Sequence, residues 1–93
     1  MTDTLELILK HKWYDMIGEG KKPEEYRDKT EHYRKMFEGR TYKRVRFHRG
    51  YTSTTQTYQV REIVEGRGNP EWGAPEDRDV YIIRLGQCVG CGA

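Results

Sequence analysis

The amino-terminal third of the chain shows first the periodicity of a strand and then that of a helix. Residues 4–11 have an apolar side chain at every second position, which is typical of a half-buried β-strand. The apolar positions are Leu5, Leu7 and Leu9. A short helix is predicted over residues 12–18, because Trp13 and Ile17 lie four positions apart and share one side. Glycines at 18 and 20 are expected to end it.

The next segment combines a short strand with a second helix. Residues 24–27 are predicted to be extended, since Pro23 suits the first position of a strand. The sequence 28–31 resembles a capping box with Asp28 as the capping residue. The helix it would start is expected to run to about Phe37, and Gly39 is expected to stop it.

Three further strands are predicted in the second half, over residues 42–48, 56–64 and 80–85. The alternation in the second of them breaks at Glu62, which indicates a bulge or an inward-facing carboxylate. The last is the most apolar and is expected to be central. We expect these strands and the first one to share a core, made of Leu5, Leu7, Leu9, Val45, Phe47, Tyr58, Val60, Tyr81, Ile83 and Leu85.

The composition fits one small domain with a thin, aromatic-rich core. The chain has 93 residues, of which 34% are hydrophobic, 34% are charged and 12% are aromatic. Aromatic side chains bury large areas, which argues against disorder. The short strands and two helices indicate an α+β or barrel-like domain. No apolar run suits a membrane span or a signal peptide, so we expect a cytoplasmic protein without a membrane partner.

Positive charge is concentrated in one segment, although the net charge is only +2. Residues 40–49 contain five basic side chains and no acid, and we call these five the basic strip. They are Arg40, Lys43, Arg44, Arg46 and Arg49. The strip fits phosphate contacts along one face of a strand, with Tyr42 or Tyr51 available to stack on bases. It fits equally well an edge strand that charge protects from aggregation.

A second group of charges follows the first helix. Lys22 precedes Glu25 and Arg27, and these last two lie on one face if the segment is extended. A desolvated lysine beside a carboxylate can act as a base or activate a nucleophile. The same residues can bind a nucleotide, since carboxylates accept hydrogen bonds from the amino group of cytosine. A surface ion-pair cluster is the third interpretation, and the residues alone favour it.

The order of these features resembles the ASCH domain family, a branch of the PUA-like barrels. The matching segments include Gly20-Lys21-Lys22 with Glu25-Tyr26-Arg27, Phe47-His48-Arg49-Gly50-Tyr51, Glu71-Trp72-Gly73 and the closing strand 80–86. The resemblance implies a small PUA-like/ASCH β-barrel with two short helices. It also implies a cleft near the Gly-x-Lys segment that binds RNA or a nucleobase. Each motif is weak alone, and their order is more specific.

Some members of that family are amidohydrolases that remove the acetyl group of N4-acetylcytidine with a Lys, a Thr and a Glu. Their lysine matches Lys22, whereas their threonine position is Glu25 here. Their catalytic glutamate lies in an insertion that this chain lacks, and Glu71 or Glu76 would have to replace it. The resemblance therefore implies Lys22 and Glu25 as catalytic candidates, with hydrolysis as the alternative to binding.

The remaining candidate residues give weaker signals. Trp13 is interpreted as a core residue, and Trp72 as a loop residue near the cleft that can stack on a ligand. Cys88 and Cys91 resemble half of a zinc site without a second pair of ligands, so we expect an incidental reduced pair, no metal and no cofactor.

The sequence thus predicts a domain over residues 1–86 and a flexible tail over 87–93. Its predicted function is binding of RNA or a modified nucleobase, by a monomer. The residues expected to bind the ligand are Lys22, Glu25, Arg27, Arg44, Arg46, Arg49, Tyr51 and Trp72. The alternatives are an amidohydrolase acting on an N-acylated nucleoside and a regulator that acts through a protein partner.

Overall fold

A computed structural model describes residues 3–91 of the chain, with the side chain of Cys91 left out. The elements follow one another as β1 (Thr4–Leu9), α1 (His11–Gly18), β2 (Glu24–Asp28), α2 (Glu31–Phe37), β3 (Arg44–Arg49), β4 (Thr55–Gly66) and β5 (Val80–Cys91). A short 3-10 helix, Pro70–Trp72, interrupts the loop between the last two strands.

The strands form one five-stranded sheet in the order β1-β3-β4-β5-β2, which curls into half of a barrel. β1 pairs with β3 in parallel, and the other neighbours are antiparallel. The predicted α+β class is confirmed, and the curled sheet is compatible with a small barrel-like fold. β1 and β2 lie at the two ends of the strand order.

The main core fills the concave side of the sheet. Apolar residues from β1, β3, β4 and β5 meet there with Tyr14 and Ile17 of α1 and with Phe37 of α2. Eight of the ten predicted core residues are buried, namely Leu5, Leu7, Leu9, Val45, Phe47, Tyr58, Tyr81 and Ile83. Val60 and Leu85 are only partly buried and pack against this core.

The predicted central position of the last strand is confirmed, because β5 lies between β4 and β2 and has both faces covered. Tyr81 and Ile83 belong to the main core, whereas Val80 and Ile82 belong to a second cluster on the opposite face. The second cluster also contains Tyr26. The loop after β4 covers it, and burial on both faces explains the nearly continuous apolar run of this strand.

Of four local features, three differ from the sequence prediction and one agrees with it. Thr30, not Asp28, caps α2, and its hydroxyl accepts a hydrogen bond from the Tyr33 amide at 3.2 Å. The break in β4 is a bulge, which is one of the two predicted explanations, because the register shifts three times between Thr57 and Glu62 while Glu62 itself is exposed. Trp13 is half-buried and lies outside the core clusters. β3 is an inner strand, so the edge-strand interpretation of the basic strip is wrong.

The carboxyl-terminal segment also differs from its prediction. Residues 87–91, expected in a tail, continue β5 and pair with residues 56–58 of β4. Cys88 is disulfide-bonded, so the expectation of a reduced thiol is wrong there. The expectations for the side chain of Cys91 and for residues 92–93 lie outside the described part of the chain. No helix within residues 3–91 has the length and apolar character needed to span a membrane.

Candidate functional site

Lys22 is held in the interior by the turn that ends α1. Gly20 has a φ of 77°, which favours glycine, and its amide donates to the carbonyl of Ile17 at 3.1 Å. The amide of Lys21 donates to the carbonyl of Met16 at 2.9 Å, which completes a Schellman motif. The chain therefore turns back sharply, and the next residue, Lys22, is only 1% exposed.

The ammonium group of Lys22 is surrounded by polar and aromatic partners. Its Nζ donates to the carbonyl of Trp72 and lies 3.2 Å from Oε1 of Glu25. It also lies 4.6 Å from the ring centre of Tyr26 and 5.2 Å from that of Trp13. The carbonyl, the carboxylate and the two rings all favour a cation, so a buried lysine is tolerated here.

Burial and the carboxylate of Glu25 change the pKa of Lys22 in opposite directions. Desolvation lowers the pKa of its ammonium group, and the neighbouring Glu25 partly offsets this effect. Because desolvation is the larger effect, the lysine loses its proton more readily than an exposed lysine does. A lysine needs a lowered pKa to act as a base near neutral pH. Lysines in purely structural ion-pair networks can have a lowered pKa too, so the shift fits both roles.

Glu25 and Arg27 lie on one face of β2, as the alternation predicted, and the structure shows that this face is the concave side of the sheet. They are the β-sheet partners of Ile83 and Tyr81, which belong to the main core. Oε2 of Glu25 accepts a hydrogen bond from Nη2 of Arg27 at 2.8 Å. Glu25 is 6% exposed and thus joins two basic side chains within a mostly buried network. We call Lys22, Glu25 and Arg27 the buried network.

Arg27 connects this network to both α2 and β1. Its Nη1 donates to the hydroxyl of Tyr33 on α2 at 2.9 Å, and its Nη2 donates to the carbonyl of Ile8 at 2.9 Å. β1 and β2 lie at opposite ends of the strand order, so Arg27 bridges the two ends of the half-barrel. Its Nε is buried and has no hydrogen-bond partner among the described residues.

A cleft of about 440 Å³ opens beside Arg27, between β2, the start of α2 and the loop before β5. This size falls in the range of small-molecule pockets. Two tyrosines and two arginines are among its lining residues, which are Tyr26, Arg27, Asp28, Thr30, Tyr33, Gly73, Ala74, Pro75, Arg78 and Val80. Lys22 and Glu25 do not line it, so the buried network supports the cleft wall through Arg27.

The charged and phenolic groups in this cleft have partners of their own. Arg78 pairs with Asp28 at 3.1 Å and with Asp77 at 3.0 Å. The hydroxyl of Tyr26 donates to Glu24 at 2.6 Å and accepts from the amide of Asn69 at 3.0 Å. Burial, and then the bond to Glu24, raise the pKa of Tyr26, so its phenol stays neutral at any physiological pH.

Arg44 and Arg46 of the basic strip lie on the convex face, and acidic residues neutralise part of the strip. Arg46 pairs with Glu6 at 2.7 Å, Arg49 contacts Asp15 through two bonds of 2.9 Å, and Lys43 lies 3.8 Å from Asp3. Arg44 and Arg40 form no ion pair with the described residues. Segment 40–49 itself contains no acid. The carboxylates that neutralise it come from elsewhere in the chain: Glu6 lies in β1, Asp3 directly precedes β1, and Asp15 lies in α1.

The other candidates from sequence lie in separate places. Tyr51 is at the tip of the β3–β4 turn and is 96% exposed. Trp72 packs against the second apolar cluster, and its contact with Lys22 is through its backbone carbonyl. Glu71 and Glu76 are exposed, and neither pairs with Lys22. Within residues 3–91 no group of three His, Cys, Asp or Glu side chains is arranged to hold a metal ion.

Two residues of the site were missed from sequence. Tyr33 was not among the predicted site residues; it packs against the main core, its hydroxyl accepts from Arg27, and it lines the cleft. The carbonyl of Ile8 gives no sequence signal at all, because any residue could supply it. The usable signal was the placement of Glu25 and Arg27 two residues apart after Pro23, which predicted the strand correctly.

No protein-family model matches the chain, and no match was found among curated proteins or solved structures.

Proposed function

We propose that this chain binds RNA or a modified nucleobase in the cleft beside Arg27. The supporting observation is that Arg27 both lines the cleft and is oriented by Glu25, Tyr33 and the carbonyl of Ile8. A guanidinium held in this way is preorganised, so a ligand does not have to immobilise it. The resemblance to ASCH domains also favours a nucleobase cleft in this region, although it implies one near Gly20-Lys21-Lys22, and none of these three residues lines the cleft beside Arg27.

The cleft also offers surfaces that suit a base. Tyr26 and Tyr33 both line it, and aromatic rings stack on bases of single-stranded RNA. Arg78 lies among the lining residues and supplies a cation that a phosphate can contact beside its aspartate partners.

An NMR titration of the labelled protein with cytidine, N4-acetylcytidine and a short single-stranded RNA tests this proposal. We expect saturable shifts at the amides of Tyr26, Arg27, Tyr33 and Arg78. Replacing Tyr33 by Leu should weaken cytidine binding about tenfold, because one stacked base contributes about 1–3 kcal/mol. Tyr51→Leu is the matched control, since this tyrosine lies on the β3–β4 turn outside the cleft.

Shifts confined to residues 44–51, with Tyr51→Leu as the damaging change, would move the binding site to the basic strip. An absence of salt-dependent RNA binding and of any nucleoside shift would overturn the proposal. That result would leave the third sequence-based hypothesis, a regulator acting through a protein partner.

The alternative activity, amide hydrolysis of N4-acetylcytidine or a related nucleoside, is favoured by one observation. The Lys22 amine has a lowered pKa and lies 3.2 Å from a carboxylate, as a catalytic base would. Its 1% exposure and its position outside the cleft lining support binding over catalysis. Acetate release by the wild type, lost in Lys22→Ala and kept in the exposed control Lys21→Ala, would establish the hydrolase.

A further inference from the structure

A second cavity of about 390 Å³ lies away from the buried network, between the loop after α2 and the outer half of β4. The β3–β4 ladder ends at the pair Arg44 and Gln59. Beyond it the amide of Val60 still donates to the carbonyl of Lys43 at 2.9 Å. From residue 61 to residue 66, β4 pairs with β5 alone within the described chain. We call this space the β4-edge cavity.

The inner wall of the β4-edge cavity is apolar. Phe37 and Tyr81 belong to the main core and line the cavity, and the half-buried Val60 and Ile63 line it from β4. The cavity lies beside the register shifts of β4, and bulges commonly occur beside binding sites because they redirect side chains. This wall suits a flat or branched apolar group.

The charged residues that line the β4-edge cavity are three glutamates and two arginines. Glu62 pairs with Arg84 at 2.8 Å, Glu65 pairs with Lys29, and Glu38 accepts a hydrogen bond from the hydroxyl of Tyr81 at 2.9 Å. Arg40 and Arg61 also line the cavity, and neither forms an ion pair with residues 3–91. Two arginines without an ion pair among residues 3–91 thus line the cavity, together with Glu38, a carboxylate that has no ion pair among these residues.

We propose that the β4-edge cavity is a binding site for a small monoanion with an apolar ring, the chemical class of an aromatic carboxylate. The ring would contact Phe37, Ile63 and Tyr81, and the carboxylate would contact Arg40 and Arg61. Guanidinium groups bind carboxylates through paired hydrogen bonds, which makes arginine the suitable residue type at this rim. The proposal does not depend on RNA or nucleobase binding, which concerns the cleft beside Arg27.

Titration of the ¹⁵N-labelled protein with benzoate tests the proposal, with benzyl alcohol as the uncharged analogue. We expect saturable amide shifts in residues 37–42 and 60–65, and a dissociation constant about tenfold higher for benzyl alcohol. The double variant R40Q/R61Q should weaken benzoate about tenfold, which corresponds to about 1.4 kcal/mol, and leave benzyl alcohol unchanged. Both arginines are exposed, so the variant is expected to fold.

Arg44→Gln is the matched control, because Arg44 is an exposed arginine without an ion pair that lies outside this cavity. It should bind benzoate as the wild type does. Equal affinity for benzoate and benzyl alcohol, an unchanged affinity in R40Q/R61Q, or shifts that fall only on the cleft beside Arg27 would each overturn the proposal. A titration without saturable shifts would overturn it as well.

Discussion

Glu25 and Glu6 each join two basic side chains, and they do so in opposite surroundings. Glu25 is 6% exposed and contacts Lys22 and Arg27 on the concave side of the sheet. The side chain of Glu6 is 47% exposed and contacts Arg46 and His48 on the convex side, both at 2.7 Å. Each carboxylate contacts one arginine and one further basic side chain, and the two sites differ most in how far they are buried.

Burial changes what an ion pair does. In the interior the attraction between opposite charges is less screened, and a charge that loses its partner is costly. At the surface, water solvates each charge and the pair contributes little. We therefore expect the buried network to hold β2, α2 and β1 together, and the surface pairs to set only the local charge of the convex face.

The largest effect on stability is expected at Phe47. It lies on the inner face of β3, between the two residues that contact Glu6, Arg46 and His48. Its side chain is 0% exposed. Phe47→Ala should lower the free energy of unfolding by about 3–5 kcal/mol, because it removes apolar contacts and leaves a cavity. Chemical denaturation measures this loss. The matched change on the outer face, Arg46→Ala, should cost less than about 1 kcal/mol, and equal losses would refute the assignment of faces.

The next largest effect tests the comparison directly. Glu25→Gln keeps the size of the side chain and removes the charge that Lys22 and Arg27 share. We expect a loss of about 3 kcal/mol, since breaking a buried ion pair leaves uncompensated charge in the interior. Glu6→Gln is the matched control and should cost about 0–1 kcal/mol. If the two variants unfold at the same denaturant concentration, the buried network does not stabilise the fold.

A smaller effect is expected for the basic strip. If this strip contacts RNA phosphates, Arg44→Ala should weaken RNA binding. It should also lower by about one unit the salt slope, which is the slope of the logarithm of RNA affinity against the logarithm of salt concentration. Arg46→Ala should lower the slope by less than Arg44→Ala does, because Glu6 already neutralises Arg46. Affinity measured at several salt concentrations gives both slopes. An unchanged slope in the Arg44 variant would remove the strip from the RNA interface.

The smallest effect concerns the dependence of stability on pH. The pKa of Lys22 is lowered in the folded protein, so the unfolded chain binds more protons at this residue as pH approaches 10.5. The contribution of Lys22 to stability should therefore rise with pH from the folded pKa towards that of an unfolded lysine. Denaturation of wild type and Lys22→Met across alkaline pH measures it as the free energy of unfolding of the wild type minus that of the variant. A fall of this difference with rising pH would contradict the lowered pKa.

Elements with regular alternation were predictable because one face of each is covered by the core. β1 and β3 have this pattern, and their apolar positions lie in the core as expected. The helix cap and the end of β5 were predicted wrongly for different reasons. Thr30 and Asp28 are both good capping residues, so local chemistry did not decide between them. Residues 87–91 extend β5 because β4 offers a partner strand, a contact that short-range patterns do not contain.

The candidate site was predictable only in part. The grouping of Glu25 and Arg27 on one face follows from the two-residue period of a strand, which is a local property. Whether that face is solvent or core depends on what covers it. The residues themselves favoured a surface cluster, whereas the structure places Lys22 and Glu25 in the interior.

The sequence by itself determined which residues alternate, where glycines turn the chain, and which charges lie close along it, because these depend on bond geometry and neighbouring side chains. Only the tertiary structure decided which charges are buried and which acids neutralise them. Asp15 of α1 contacts Arg49, which lies 34 residues away along the chain. The carbonyl of Ile8 in β1 contacts Arg27, which lies 19 residues away. Such contacts form when the sheet curls and brings distant segments together, and the strength of each then depends on how far water is excluded from it.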